Sequence, residues 1–246
     1  MPVIQLSRAG EEEAGQKRNP LHDVSNGTRI SIARTPRSWP TWVISITLCG
    51  AWVGAFFIPG GPTPAWAGVS ADALRSGRLY TPLTYMFVHA GAWHLWMNVS
   101  ALVVGEPVVQ RLGRSVRGRL VFFGFFLACG VLAGLGYVAL DPLGAMPAVG
   151  ASGAICGLWG AAARLEAGSE GSLAPLLSRA VGLHVVRLIR DNLILVALFI
   201  ALAFFTHLQV GIAWQAHVVG FAVGLLLIGP ALKLARRDLV LTAATA

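Results

Sequence analysis

The sequence predicts an all-α fold: a polytopic membrane protein built as a bundle of six transmembrane helices. Three observations carry that prediction. Of 246 residues, 55% are hydrophobic and only 12% charged, with a mean hydropathy of +0.67, whereas soluble domains carry about 25% charged residues. From Trp39 onward, apolar blocks alternate with short polar breaks. The basic residues gather in alternate breaks, as the positive-inside rule requires of a chain that crosses a bilayer repeatedly. No stretch of ordinary globular composition is left over for a large soluble catalytic domain.

Taken in order, residues 1–38 are polar and irregular, with Glu11-Glu12-Glu13, Lys17-Arg18 and Asn26-Gly27. Such a segment buries too little apolar surface to order itself, so a flexible cytoplasmic tail is expected. It lacks the short basic start and apolar core of a signal peptide. The membrane domain is expected over 39–232, with apolar blocks at about 42–58, 92–109, 120–140, 148–163, 193–206 and 210–232. The fifth block has a possible earlier start near Val185, with Arg187 and Arg190 reaching the headgroups. Alternatively, the mixed stretch 173–190 lies along the interface as an amphipathic helix. Residues 233–246 form a short cytoplasmic tail.

Charge placement fixes the number of spans. Seventeen of the nineteen Lys and Arg residues fall before block one, between blocks two and three, between blocks four and five, or after block six. Only Arg75 and Arg78 fall on the opposite side. Six spans with both termini in the cytoplasm satisfy this bias; five or seven do not. The net charge of +8 is thereby assigned to the membrane surface and not to a nucleic acid. Compactness and the lack of a transit-peptide pattern make a bacterial plasma (inner) membrane the expected location.

With that topology the even-numbered spans all begin at the outer face. Polar residues inside lipid are costly and are functional suspects. His94 and Asn98 lie near the start of span two, Ser152 near the start of span four and His217 near the start of span six. At 1.5 Å of rise per residue, all four fall within roughly 10 Å of the outer boundary. Ser152 sits in Gly150-Ala151-Ser152-Gly153, where small neighbours leave room around a nucleophilic oxygen. Gly153 and Gly157 on span four, and Gly220 and Gly224 on span six, form small-residue faces that let two helices approach closely. Close pairing of those spans would set His217 beside Ser152 as a general base. His94 and Asn98, four residues apart, share a face whose donors suit a developing oxyanion, together with the Ser152 backbone N–H. All five aspartates fall outside the blocks and Glu106 lies toward the inner half of span two, so a Ser–His dyad is expected and not a triad. Each residue alone also has an ordinary reading: small-residue packing for the serine, interhelical hydrogen bonding for His94, Asn98 and His217. Their coincidence at one depth favours catalysis.

At this point the sequence resembles the rhomboid family of intramembrane serine proteases. Gly150-Ala151-Ser152-Gly153 is similar to the family's GxSG motif. His94-x-x-x-Asn98, preceded by His89, resembles its second-helix motif, and Ala216-His217-x-x-Gly220-x-x-x-Gly224 resembles its last-helix AHxxGxxxG. Arg111-Leu112-Gly113 also fits, and the likeness covers about 40–232. The resemblance implies a rhomboid-like bundle that cleaves transmembrane protein substrates at or near the outer face. Ser152 would be nucleophile and His217 base, with His94 and Asn98 in the oxyanion hole. Two positions depart from the family pattern: Tyr80-Thr81-Pro82-Leu83-Thr84 lacks a Trp-Arg pair, and Cys156 stands where an aromatic residue commonly packs on the histidine. The long first outer loop, about 59–91, matches the family's L1 loop; its other reading is a solvated connector.

Rival chemistries find little support. Three cysteines in apolar spans without CxxC spacing argue against a disulfide framework, and HExxH is absent, so no metal is expected. No phosphate-binding fingerprint occurs, so no cofactor is expected. A non-catalytic rhomboid-like binder of membrane helices would typically lack the serine or histidine. A small transporter would show an internal repeat, and none is evident. The expected partners are transmembrane substrates and membrane lipids, with no nucleic acid; the oligomeric state is open, a monomer being sufficient for catalysis.

Overall fold

A computed structural model of the protein describes residues 38–57, 64–113, 115–166, 172–206 and 211–243. The expected flexible tail, apart from Ser38, lies outside the described residues, as do His22 and His207. The described chain is helical, with ten α-helices: α1 Trp39–Gly54, α2 Pro64–Ala67, α3 Ala71–Arg75, α4 Thr81–Thr84, α5 Ala92–Ala101, α6 Glu106–Leu112, α7 Val116–Leu140, α8 Ser152–Glu166, α9 Arg179–Thr206 and α10 Trp214–Ala243. They form six columns in the expected order, because α5 and α6 are two parts of one column. Among the described residues, two helical stretches, Val116–Leu140 and Trp214–Ala235, are individually long and apolar enough to cross a membrane. The pair Thr81–Phe87 and Ala92–Leu112, bent by 95°, is a third candidate.

Local chemistry explains the breaks. Pro107 lacks an N–H and its ring crowds the carbonyl four residues back, so Leu102–Gly105 tightens into a 3₁₀ turn between α5 and α6. The start of α1 is held from outside itself. Ser38 N–H donates to both carboxylate oxygens of Glu106 at 3.0 and 3.1 Å, and the Thr41 hydroxyl donates to Oε1 at 2.7 Å. Glu106 is only 2% exposed, and its negative charge complements the positive end of the α1 dipole. Column two thus anchors column one at the end away from His94. Ser115 caps α7 by accepting from Gly118 N–H at 3.0 Å.

The described part of the first long connection, residues 64–91, is anchored on the bundle. Ser70 caps α3, and Tyr85 and Met86 bury their side chains over Gly134 and Gly130 of α7. The Tyr85 hydroxyl donates to Gly130 O at 2.7 Å. Val69 and Ala148 exchange a pair of backbone hydrogen bonds at 3.0 and 2.9 Å. Gly150 N–H then donates to Tyr85 O at 2.8 Å. These three bonds stretch out the backbone just before Ser152, so the fourth helix begins at 152 and not at 148 as expected from the apolar run.

Two other boundaries differ. Column five is one continuous helix from Arg179, so 173–190 is not a separate interfacial helix. Arg190 is ion-paired at 2.7 Å with its half-buried neighbour Asp191, and both lie within α9. Helix α10 runs beyond residue 232 to Ala243, so Asp238 is helical but lies past the apolar stretch that ends at Ala235.

Candidate active site

The site forms where α8 and α10 meet. The glycines permit the approach: a Cβ added at Gly220 would strike the Gly153 carbonyl oxygen, and one at Gly224 the Gly157 carbonyl oxygen. A Cβ at Gly160 would strike the Phe221 carbonyl oxygen. Backbone lies directly on backbone along three turns, closer than any side-chain-bearing pair of helices can come. This contact sets the two helix starts side by side. Ser152 is the first residue of α8, and His217 is in the first turn of α10.

The consequence is a hydrogen bond of 2.8 Å between His217 Nε2 and Ser152 Oγ. His217 is buried and Ser152 half-buried. The other ring nitrogen, Nδ1, lies 2.6 Å from Asn192 Oδ1 on α9. Asn192 in turn donates from Nδ2 to Leu188 O at 2.9 Å. Asn192 was not among the residues expected from sequence. Its signal was present, an amide one residue before the fifth apolar block, but Arg187, Arg190 and Asp191 made the stretch look interfacial.

His94 and Asn98 come to the same place from column two. The Nε2 and Cε1 edge of His94 covers Gly150, occupying the space a Cβ there would need, with Nε2 2.7 Å from the Cβ position. Gly150 has φ +107°, a conformation strained for any residue with a side chain. The first glycine of the motif is thus required twice, by its backbone angle and by the imidazole above it. His94 Nδ1 accepts from Ala90 N–H at 3.4 Å, which leaves Nε2 as the protonated nitrogen of the neutral ring. Asn98, 4% exposed, donates from Nδ2 to His94 O at 2.9 Å, and its second amide hydrogen remains for the Gly150 side. The buried ring of His89 packs edge-on against His94, with centroids 5.1 Å apart. Cys156 packs in a small cluster with Trp159, Val185 and Leu225 against Ala163, Leu188 and Phe221. Among the described residues no three His, Cys, Asp or Glu side chains converge as a metal site.

Chemically, the arrangement pairs an alcohol with an imidazole at proton-transfer distance. It surrounds the pair with N–H donors and with the positive ends of two helices, α8 and α10, both of which favour negative charge.

An all-α membrane bundle with a serine and a histidine joined across two glycine-lined helices defines a narrow class. The Rhomboid domain family matches residues 76–233, well over half of the chain, and the chain belongs to the rhomboid family. "Rhomboid-related protein 2" of Mus musculus is 31% identical over 132 residues, covering 49% of this chain and 41% of that protein. "Putative rhomboid protease YdcA" of Bacillus subtilis (strain 168) is 32% identical over 87 residues, covering 35% of this chain and 41% of the relative. Each alignment thus spans about two-fifths of the curated relative's length.

Proposed function

We propose that the protein is an intramembrane serine endopeptidase, cleaving a peptide bond in or beside the transmembrane segment of membrane-protein substrates. The observation that carries this reading is the 2.8 Å contact between Ser152 Oγ and His217 Nε2. In the proposed reaction His217 Nε2 takes the hydroxyl proton as Ser152 Oγ attacks the carbonyl carbon. The oxyanion that forms is met by the Ser152 backbone N–H and by His94 and Asn98. His217 then returns the proton to the departing amine, leaving an acyl-enzyme. Water, deprotonated by the same imidazole, releases the second product. No cofactor or metal takes part, and one copy of the chain carries every group the reaction uses.

The charge distribution supports an orientation with both termini in the cytoplasm, which sets the site toward the outer face of what we take to be a plasma (inner) membrane. The name of the Bacillus relative, a rhomboid protease, agrees with this assignment. The test is cleavage of a model single-span substrate in proteoliposomes. Wild-type protein should yield two fragments, and Ser152→Ala and His217→Ala none, with unfolding temperatures unchanged. Equal cleavage by wild type and Ser152→Ala would overturn the peptidase reading. Absence of cleavage by all, with stable capture of the intact substrate helix, would point to a non-catalytic rhomboid-like binder.

A further inference from the structure

We infer that Asn192 is a positioning residue that fixes the tautomer of His217, making a Ser152–His217–Asn192 relay in which a neutral amide takes the orienting place. The inference rests on the peptidase reading for its catalytic meaning, but its chemistry stands on the hydrogen-bond chain alone. Each link forces the next. Leu188 O is a backbone carbonyl and can only accept, so the Asn192 atom 2.9 Å from it is the donating Nδ2. The atom turned to His217 is then Oδ1, which can only accept. At 2.6 Å it requires a proton on Nδ1 of the ring. A neutral imidazole carries one such proton, so Nε2 has a free lone pair, and that nitrogen lies 2.8 Å from Ser152 Oγ. The serine must therefore donate to the histidine, which is the polarity a general base needs.

Without this anchor the ring would be free to carry its proton on Nε2, the tautomer imidazoles with a 4-alkyl substituent prefer in water. It would then face the serine with a hydrogen and not a lone pair. Which nitrogen is protonated is set by the hydrogen bond the other one makes. The choice of an amide fits the surroundings. A carboxylate would orient the ring equally well but would put an unpaired charge beside a buried imidazole among apolar helices, where isolated charges are costly. Asp191, the preceding residue, is half-buried and ion-paired with Arg190. The amide is placed by its own helix, since Leu188 and Asn192 are one turn apart on α9.

The experiment uses the full chain in detergent micelles with histidine labelled with nitrogen-15. Long-range proton–nitrogen spectra report the tautomer of each ring, and the His217 signals are identified by their loss in His217→Ala. Wild type should show His217 protonated on Nδ1. Asn192→Leu, close in volume but unable to accept, should show the Nε2 proton, while Asn192→Asp should keep the Nδ1 proton. In turnover, Asn192→Leu should lower kcat about tenfold to a hundredfold with KM unchanged, the effect of losing one orienting hydrogen bond at a reacting group, and Asn192→Asp should recover most of it. An Nε2 proton in wild type, or an unaltered tautomer and kcat in Asn192→Leu, would overturn the inference. The two readings fail separately: loss of all hydrolysis activity would leave the tautomer result standing, and persistent hydrolysis by Ser152→Ala would refute the peptidase without touching it.

Discussion

Gly220→Ala tests how the fold makes the site. Gly220 lies one turn beyond His217 on α10 and rests on the backbone of α8. The alanine Cβ would lie 2.9 Å from the Gly153 carbonyl carbon and nearer still to its oxygen, whereas ordinary contact begins at 3.4 Å. Neither neighbour is a flexible side chain, so the helices must part by roughly half an ångström at the carbon and by more at the oxygen. Overpacking of this kind costs about 1–3 kcal/mol. The same separation would stretch the 2.8 Å Ser152–His217 bond past good hydrogen-bond length. Misplacement by about 1 Å costs on the order of 10²-fold in rate, so kcat should fall about ten- to a hundredfold. Initial rates on a single-span substrate, with thermal unfolding in the same detergent, measure both quantities. Gly124→Ala on α7, where a Cβ meets nothing within 4 Å, is the control and should keep wild-type turnover. Wild-type rate and stability in Gly220→Ala would refute the idea that glycine contact sets the site's geometry.

Three further substitutions follow from separate contacts. Gly150→Ala should lower both stability, by about 1–2 kcal/mol for the strained backbone, and kcat, because its methyl displaces His94; unfolding curves and rates check it. Asn98→Ala should lower kcat by roughly 10²–10³-fold if its amide meets the oxyanion, with the 2.8 Å serine–histidine contact kept; single-turnover kinetics measure this. Glu106→Ala should cost about 1–3 kcal/mol by stranding the Ser38 N–H, the Thr41 hydroxyl turning to Ser38 O at 2.8 Å, read from thermal unfolding. Turnover per folded molecule should stay unchanged, since Glu106 lies twelve residues from His94, roughly 18 Å along the column.

Much of this architecture was legible because it rests on features a sequence displays directly. Gly153, Gly157, Gly220 and Gly224 at four-residue spacing announce a close helix pair, and that pair dictates that Ser152 and His217 meet. The order of the six columns followed from apolar blocks and the placement of arginines. What was not legible depended on contacts between distant segments. Residues 148–151 are as apolar as a helix, and bonds to Val69 and Tyr85 hold them out of one. The first long connection also had a reading as a solvated linker, and the packing of Tyr85 and Met86 on the α7 glycines is a contact that sequence does not display. Glu106 read only as a carboxylate toward the inner half of span two; its partners lie at the start of α1, 65 or more residues earlier. Asn192 was hidden by its neighbours, because Arg190 and Asp191 pair on the exposed side of the same helix and made the local composition look polar.

Activation of one hydroxyl by one imidazole is the central claim, and covalent labelling measures it most directly. A fluorophosphonate reacts by attack of an activated serine oxygen on phosphorus with loss of fluoride. In intact protein the adduct should map by mass spectrometry to Ser152, should be absent in Ser152→Ala, and should form far more slowly in His217→Ala. Labelling at another residue, or equal labelling rates with and without the His217 imidazole, would contradict the account.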